Sequence, residues 1–255
     1  MKAIFFGHSH LGPILHAWED AALRPKLNYS ASFAFVNEGV KWLTPPATIV
    51  DGECIPNAAV MNLMQNHGAF TPGKRSIVFA LGGNEHTILA LLTQGTHLNF
   101  VMPGESVDVE ADETIVPFEA VRQAILQRSE VSMALTTLVK GLSPHPTLCI
   151  ESPPPPQSNK WLTENLDKYF VAKMTKADLM VARPSVRRKM WQVRSMLWEN
   201  YCNDVGMPFV KVPDRLMENG FLKPEYLGNA THANPSFGAE MMKEVETALA
   251  SLTGH

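Results

Sequence analysis

Lys2-Ala3-Ile4-Phe5-Phe6-Gly7-His8-Ser9-His10 opens the chain, and its reading decides the fold. Four consecutive apolar residues closed by a glycine have the pattern of a strand buried on both faces. Directly behind it, Leu11, Ile14, Leu15, Trp18 and Ala22 recur at helical spacing, with Pro13 tolerable in a first turn. A buried strand running straight into a helix predicts a parallel sheet with helices on its faces. Ser9 then stands at the turn between the two.

The rest of the chain repeats that alternation. Ser32–Val36 reads as a second strand, residues 57–66 as a helix rich in methionine and alanine, and residues 76–81 as a third strand ending in Gly82-Gly83-Asn84-Glu85-His86. Residues 87–115 lack clear periodicity and are expected to be irregular or a hairpin. A long helix is predicted over 117–141 and a fourth strand over Thr147–Ile150, followed by four prolines, Pro153 to Pro156. Their fixed dihedrals exclude helix and read as a stiff loop leaving the strand end. Helical patterns cover 160–179 and 185–203, and a fifth strand lies around 209–212. Asn234 caps the last helix, with Pro235 at its first position. No repeat and no flexible linker interrupts the pattern, so residues 1–255 are expected to form a single domain.

Composition excludes several functions. With 45% apolar and 18% charged residues the chain is an ordinary globular one. A formal charge of −3 gives no basic footprint for nucleic acid. No apolar run approaches the length of a membrane span, and the N-terminal run is too short for a signal peptide. The expected location is therefore the cytoplasm. Cys54, Cys149 and Cys202 lack metal-type spacing and read as buried free thiols.

Three polar clusters remain: Gly7-His8-Ser9-His10, Gly82-Gly83-Asn84-Glu85-His86 and Asn229-Ala230-Thr231-His232. Ligands of open parallel sheets bind beyond the carboxyl ends of the strands. Serine, asparagine and histidine meeting there would supply what acyl transfer needs, namely a nucleophile, an oxyanion donor and a base. Ser9 N–H, the Asn84 amide and Gly39 N–H are the candidate oxyanion donors, with Gly52 a less favoured substitute for Gly39.

In these blocks the chain resembles the SGNH (GDSL-type) hydrolases. That family carries Gly-Asp-Ser near the N-terminus, a glycine after the second strand, Gly-x-Asn-Asp after the third and Asp-x-x-His near the C-terminus. The corresponding residues here are Gly7-His8-Ser9, Gly39, Gly82-Gly83-Asn84-Glu85 and Asn229-Ala230-Thr231-His232. The resemblance implies a three-layer, flavodoxin-like α/β/α sandwich with about five parallel strands. It implies Ser9 as nucleophile, His232 as base, and Ser9, Gly39 and Asn84 as the oxyanion hole, acting on a small ester without cofactor or metal. His8, His10, Glu85 and His86 would stand around the site. Family members are esterases, lipases, carbohydrate deacetylases and some acyltransferases.

Three positions depart from the family pattern. His8 and Glu85 replace aspartates that are not expected to touch the reacting atom. Asn229 replaces the aspartate of the triad, which elsewhere holds the imidazole tautomer and stabilises the imidazolium; that loss costs about 10⁴ in turnover in another serine hydrolase. Three readings are open: an engineered substitution, a Ser–His dyad oriented by another group, or a binding protein that has lost catalysis. Two rivals complete the field. The histidines of the rim with Glu85 could hold a transition metal in a phosphoesterase. A binding module could use Arg187, Arg188, Trp191, Arg194 and Trp198 as a cationic aromatic face, against the reading that Val186, Met190, Val193, Leu197 and Tyr201 pack this helix on the sheet and leave its basic face solvated.

Overall fold

Continuous apolar runs are what a sheet covered on both faces requires, and the inner strands of the central sheet are built from them. A computed structural model describes residues 1–36, 45–105, 110–166, 168, 170–172 and 179–253. Its central sheet comprises β1 (Lys2–Gly7), β2 (Ser30–Phe35), β3 (Arg75–Ala80), β4 (Thr147–Ile150) and β5 (Phe209–Val210), in the order β5-β4-β3-β1-β2. Every pairing in it is parallel. Alternate side chains of the strands face opposite layers. Ile4, Phe6, Ile77, Phe79 and Cys149 pack with α2 (Ala58–Asn66), α4 (Phe118–Leu142) and α6 (Pro184–Asp204). Ala3, Phe5, Val78, Leu148 and Ile150 pack with α1 (Gly12–Glu19) and α7 (Pro235–Thr253). The fold is a three-layer α/β/α sandwich on a parallel five-stranded flavodoxin-like sheet.

Between β3 and α4 lies α3 (Glu85–Ala90), followed by three-residue strands. Leu92–Gln94 pairs antiparallel with Leu179–Val181, and His97–Asn99 pairs parallel with Glu113–Ile115. The helix expected over 160–179 is thus corrected at its end. Asn159–Glu164 (α5) is helical, but Leu179 already belongs to a strand. Those strands are too short to show any periodicity of their own.

The larger correction concerns α6. Val186, Met190, Val193 and Leu197 pack against the sheet as expected, yet the opposite face is not solvated. Arg194 and Trp198 are fully buried, and Arg187 and Trp191 are buried as well. α3 and the proline loop cover this face: Arg194 meets Glu85, and Arg187 donates to the carbonyls of Pro156 and Gln157 at 3.0 Å. A cationic aromatic docking surface is therefore not available on this helix.

Candidate active site

The sheet order places a topological switch between β1 and β3, since β1 leads outward to β2 while β3 leads the other way to β4. A crevice opens where such connections diverge. Gly7 and Ala80 are paired at the carboxyl ends of these strands. Their backbones approach so closely that a Cβ on Gly7 would lie 2.3 Å from the Ala80 carbonyl oxygen. Ser9 leaves one strand and Asn84 the other, on the two lips of the crevice.

Ser9 opens a 3₁₀ turn (Ser9–Leu11) that feeds α1. Its side chain is exposed. Opposite it, the His232 loop is held by an unusually close helix crossing: a Cβ on Gly238 of α7 would meet the Pro13 carbonyl oxygen of α1 at 2.2 Å. Only a residue without a side chain lets the two helices touch there. The contact brings the segments preceding both helices together. Ser9 Oγ lies 2.8 Å from His232 Nε2.

The loop carrying His232 is tightly bonded. The N–H groups of Gly228 and Asn229 both donate to the His232 carbonyl, at 3.0 and 2.9 Å. Asn229 Oδ1 in turn accepts from the N–H groups of Thr231 and His232, at 3.0 and 2.9 Å. This is an Asx turn closed from both sides. His232 Nδ1 faces Asn229 Oδ1 at 3.1 Å and Thr231 Oγ1 at 2.8 Å.

Asn84 caps α3 by position, yet its side chain makes no bond to that helix. It is turned instead to His10, whose Nε2 lies 2.7 Å from Asn84 Oδ1. Nε2–H donates to this oxygen, and the amide Nδ2 is left with no protein partner among the described residues. His10 is 8% exposed. Burial, then the neighbouring His232 and Arg194, push its pKa down to about 3. It therefore acts as a neutral donor at any ordinary pH. Its ring centroid lies 5.2 Å from that of His232, which puts the Asn84 amide in the same cluster as the serine and its partner.

Gly82 and Gly83 make the approach to Asn84 possible. A Cβ on Gly82 would fall 1.6 Å from Arg194 Nη2, so the guanidinium packs directly on this turn. Arg194 pairs with Glu85 at 3.4 Å, and Glu85 Oε1 also accepts from Gly83 N–H at 3.0 Å. Glu85 thus anchors the turn rather than facing the serine. His86 is buried, with Nε2 3.2 Å from Thr87 Oγ1. Burial, then the fields of Arg194 and His10, hold it well below the ordinary histidine range. His8 accepts the Leu11 N–H on its carbonyl at 3.0 Å, which shapes the 3₁₀ turn.

Gly39 lies outside the described residues. Gly52 does not belong to the crevice: it is exposed in the turn of the hairpin Ala47–Val50/Glu53–Pro56, at φ +83. Among the described residues no group of three or more His, Cys, Asp or Glu side chains is arranged to hold a metal. Cys149 and Cys202 are buried and free, while Cys54 is only half-buried. No helix among the described residues is long and apolar enough to cross a membrane.

Beside His232 runs a narrow cleft walled by Pro153 to Pro156, His86, Leu91, Leu222 and the loop Asn229–Ala233. The prolines make a rigid wall because their dihedrals are fixed. The parts played by three residues are not legible in the sequence. Arg194 was hidden because its partner Glu85 is 109 residues away. Glu151, just past β4, is buried and accepts from Ser195 Oγ and from Val212 N–H. Thr231 had a local signal, since asparagine two residues earlier favours an Asx turn that folds its hydroxyl back.

Taken together, an α/β/α protein carries a serine and a histidine in hydrogen-bond contact at the strand ends, with the Asn84 carboxamide held nearby by His10. No protein-family model matches the sequence, and no curated protein matches it. The structure is similar to a GDSL-like lipase from Bacteroides thetaiotaomicron, at 12% identity over 100% of this chain and 89% of that one, with a TM-score of 0.43. It is also similar to the periplasmic domain of a lipopolysaccharide acetyltransferase from Salmonella ser. Paratyphi A (10% identity, 97% and 83% covered, TM-score 0.45) and to an acetyl xylan esterase (7%, 97% and 99%, 0.42). At such values the likeness is one of shape alone, and the functional reading rests on the site.

Proposed function

We propose that the chain is a serine esterase of the SGNH type acting on a small ester, such as an acetyl ester of a sugar or metabolite. The observation that carries this is the 2.8 Å approach of Ser9 Oγ to His232 Nε2 at the strand ends. A serine hydroxyl is a weak nucleophile unless a base takes its proton. In the first step Ser9 Oγ attacks the ester carbonyl as its proton passes to Nε2. The carbonyl oxygen becomes an oxyanion, met by Ser9 N–H and the Asn84 amide, with Gly39 N–H as a further donor by resemblance. Collapse expels the alcohol, which receives the proton from His232, and leaves an acyl group on Ser9. Water, deprotonated by the same imidazole, then releases the acid and restores Ser9.

Two measurements test this. A fluorophosphonate should label Ser9, as located by peptide mass mapping. Turnover of p-nitrophenyl acetate should fall at least a thousandfold in Ser9→Ala. Unchanged turnover in that variant, or labelling elsewhere, removes the assignment and leaves the chain as a binding protein with an old cleft.

A further inference from the structure

We propose that Thr231 is a positioning residue: its hydroxyl and the Asn229 amide oxygen together set the tautomer of His232 in place of a carboxylate. This rests on the esterase reading for its catalytic meaning, but the tautomer itself is a property of the folded chain. The first observation concerns which atom of the Asn229 amide faces the imidazole. Two backbone N–H groups, those of Thr231 and His232, point at one position of that amide at 3.0 and 2.9 Å. Only the oxygen can accept them, so the NH₂ cannot occupy it. A free-standing asparagine could present either group to an imidazole; this one cannot turn over.

The second observation is the triangle that follows. His232 Nδ1 lies 3.1 Å from that oxygen and 2.8 Å from Thr231 Oγ1, while Thr231 Oγ1 is 3.2 Å from the same oxygen. Suppose Nδ1 carried a lone pair. The Thr231 hydroxyl could then donate to it, but that lone pair would also face those of Asn229 Oδ1 across 3.1 Å, and Nε2–H would point at Ser9 and be unable to take its proton. Suppose instead Nδ1 carries the hydrogen. It then donates to Thr231 Oγ1, and that hydroxyl gives its own proton to Asn229 Oδ1. Every hydrogen in the triangle now has an acceptor, and Nε2 is left as the acceptor for Ser9 O–H. Thr231 is buried, which strengthens such a chain of neutral hydrogen bonds.

The relay supplies orientation and tautomer but no charge. It therefore replaces one of the two services of a triad aspartate and not the other. Valine at 231 keeps the shape of threonine while removing the hydroxyl; serine keeps the hydroxyl.

The test reads the tautomer directly. In the unaltered chain with ¹⁵N-labelled histidine, with His232→Gln used to assign the signals, His232 should show a protonated Nδ1 and an unprotonated Nε2. The opposite pattern overturns the proposal whatever the kinetics. Thr231→Val should lower kcat for p-nitrophenyl acetate about tenfold, the fold-change expected from one hydrogen bond, with KM little changed and with Nε2–H signal appearing. Thr231→Ser should recover most of the loss. Equal kcat and an unchanged nitrogen spectrum in the valine variant would show that the hydroxyl does not set the tautomer. Should the valine variant fail to fold, the parent spectrum and the serine variant still decide. If Ser9→Ala hydrolyses as fast as the parent, the esterase reading fails, and the spectrum still judges the relay by itself.

Discussion

Asn229→Asp is the most informative single change, because the site is built to receive a carboxylate that it does not have. The donors that hold Asn229 Oδ1, from Thr231 N, His232 N and Thr231 Oγ1, serve a carboxylate oxygen equally well. The atom that changes is Nδ2, which has no protein partner among the described residues. The loop therefore has no reason to move. What enters is a charge 3.1 Å from Nδ1. A carboxylate and an imidazolium whose charge centres lie about 4 Å apart attract by roughly 4 kcal/mol at an effective dielectric near 20. Asn229 is only half-buried, so solvent takes part of this, and about 2–3 kcal/mol should reach the transition state. That corresponds to a gain in kcat of roughly 30–150-fold. It falls short of the ~10⁴ lost when a triad aspartate elsewhere becomes asparagine, since much of that loss comes from the wrong tautomer, which the Thr231 relay prevents here. The carboxylate also favours the protonated imidazole, so the acid limb of the pH–rate profile should move to higher pH. Steady-state hydrolysis of p-nitrophenyl acetate, with circular dichroism to confirm the fold, measures both. A folded variant whose kcat is unchanged or lower would show that His232 is not the base or that its Nδ1 side does not face residue 229 in the reacting state.

Asn84→Ala should lower kcat by about 10²–10³ with little change in KM, as expected when one oxyanion donor is removed; a change confined to KM would place the amide on the ground state only. Burial holds His10 down to about 3 and His86 well below its usual value, while unfolded histidine protonates near 6.5. The stability their neutral forms contribute is complete above about pH 6.5 and is lost as pH falls toward 3, at up to about 1.4 kcal/mol per unit for each. His10→Gln should make stability fall less steeply than in the parent between pH 6 and 4, as read from urea midpoints; parallel curves would refute the burial argument. Gly82→Ala drives a methyl group into the Arg194 guanidinium and should cost about 3 kcal/mol, seen as a lower thermal midpoint and a loss of turnover together.

The sheet was legible because parallel strands covered on both sides must be apolar without interruption, and Ala3–Phe6 and Ile77–Leu81 are. The last helix was legible from its ends: Asn234 Oδ1 does accept the Phe237 N–H, at 3.2 Å, with Pro235 in the first turn. What was not legible were the short strand pairings and buried ion pairs whose partners are distant in sequence. The pairing of Leu92–Gln94 with Leu179–Val181 leaves no local pattern in three residues. The burial of Arg194 could not be seen from α6, whose charged face looks solvated until Glu85 and the Gly82-Gly83 turn close over it. The three polar clusters were readable as candidates because each stands at an element boundary, but the His10–Asn84 bond and the turn that fixes the Asn229 amide were not. That His10 would take the Asn84 carbonyl oxygen depends on how two neighbouring strands end. That Asn229 would present oxygen rather than nitrogen depends on a turn closed by its own backbone.

These hydrogen bonds share one electrostatic consequence. Two histidines of the cluster are kept neutral, His10 by burial and by the fields of His232 and Arg194, and His86 by burial and by the fields of Arg194 and His10; position 229 is neutral because it is an amide. The formal charge of Arg194 is met by Glu85 rather than left facing the crevice. In the proposed reaction, proton transfer from Ser9 to His232 creates one positive and one negative charge where no aspartate stands behind the imidazole. Each new charge then depends on the other and on fixed dipoles, namely the Ser9 N–H and the Asn84 amide for the oxyanion and the Thr231–Asn229 pair for the imidazolium. A protonated His10, with its ring centroid 5.2 Å from that of His232, would oppose that imidazolium at short range. The pH-dependent cost of burying His10 falls at acid pH, where the unfolded ring would charge, and at neutral pH the buried ring keeps a hydrogen-bond donor beside Asn84 without placing a competing charge beside the base.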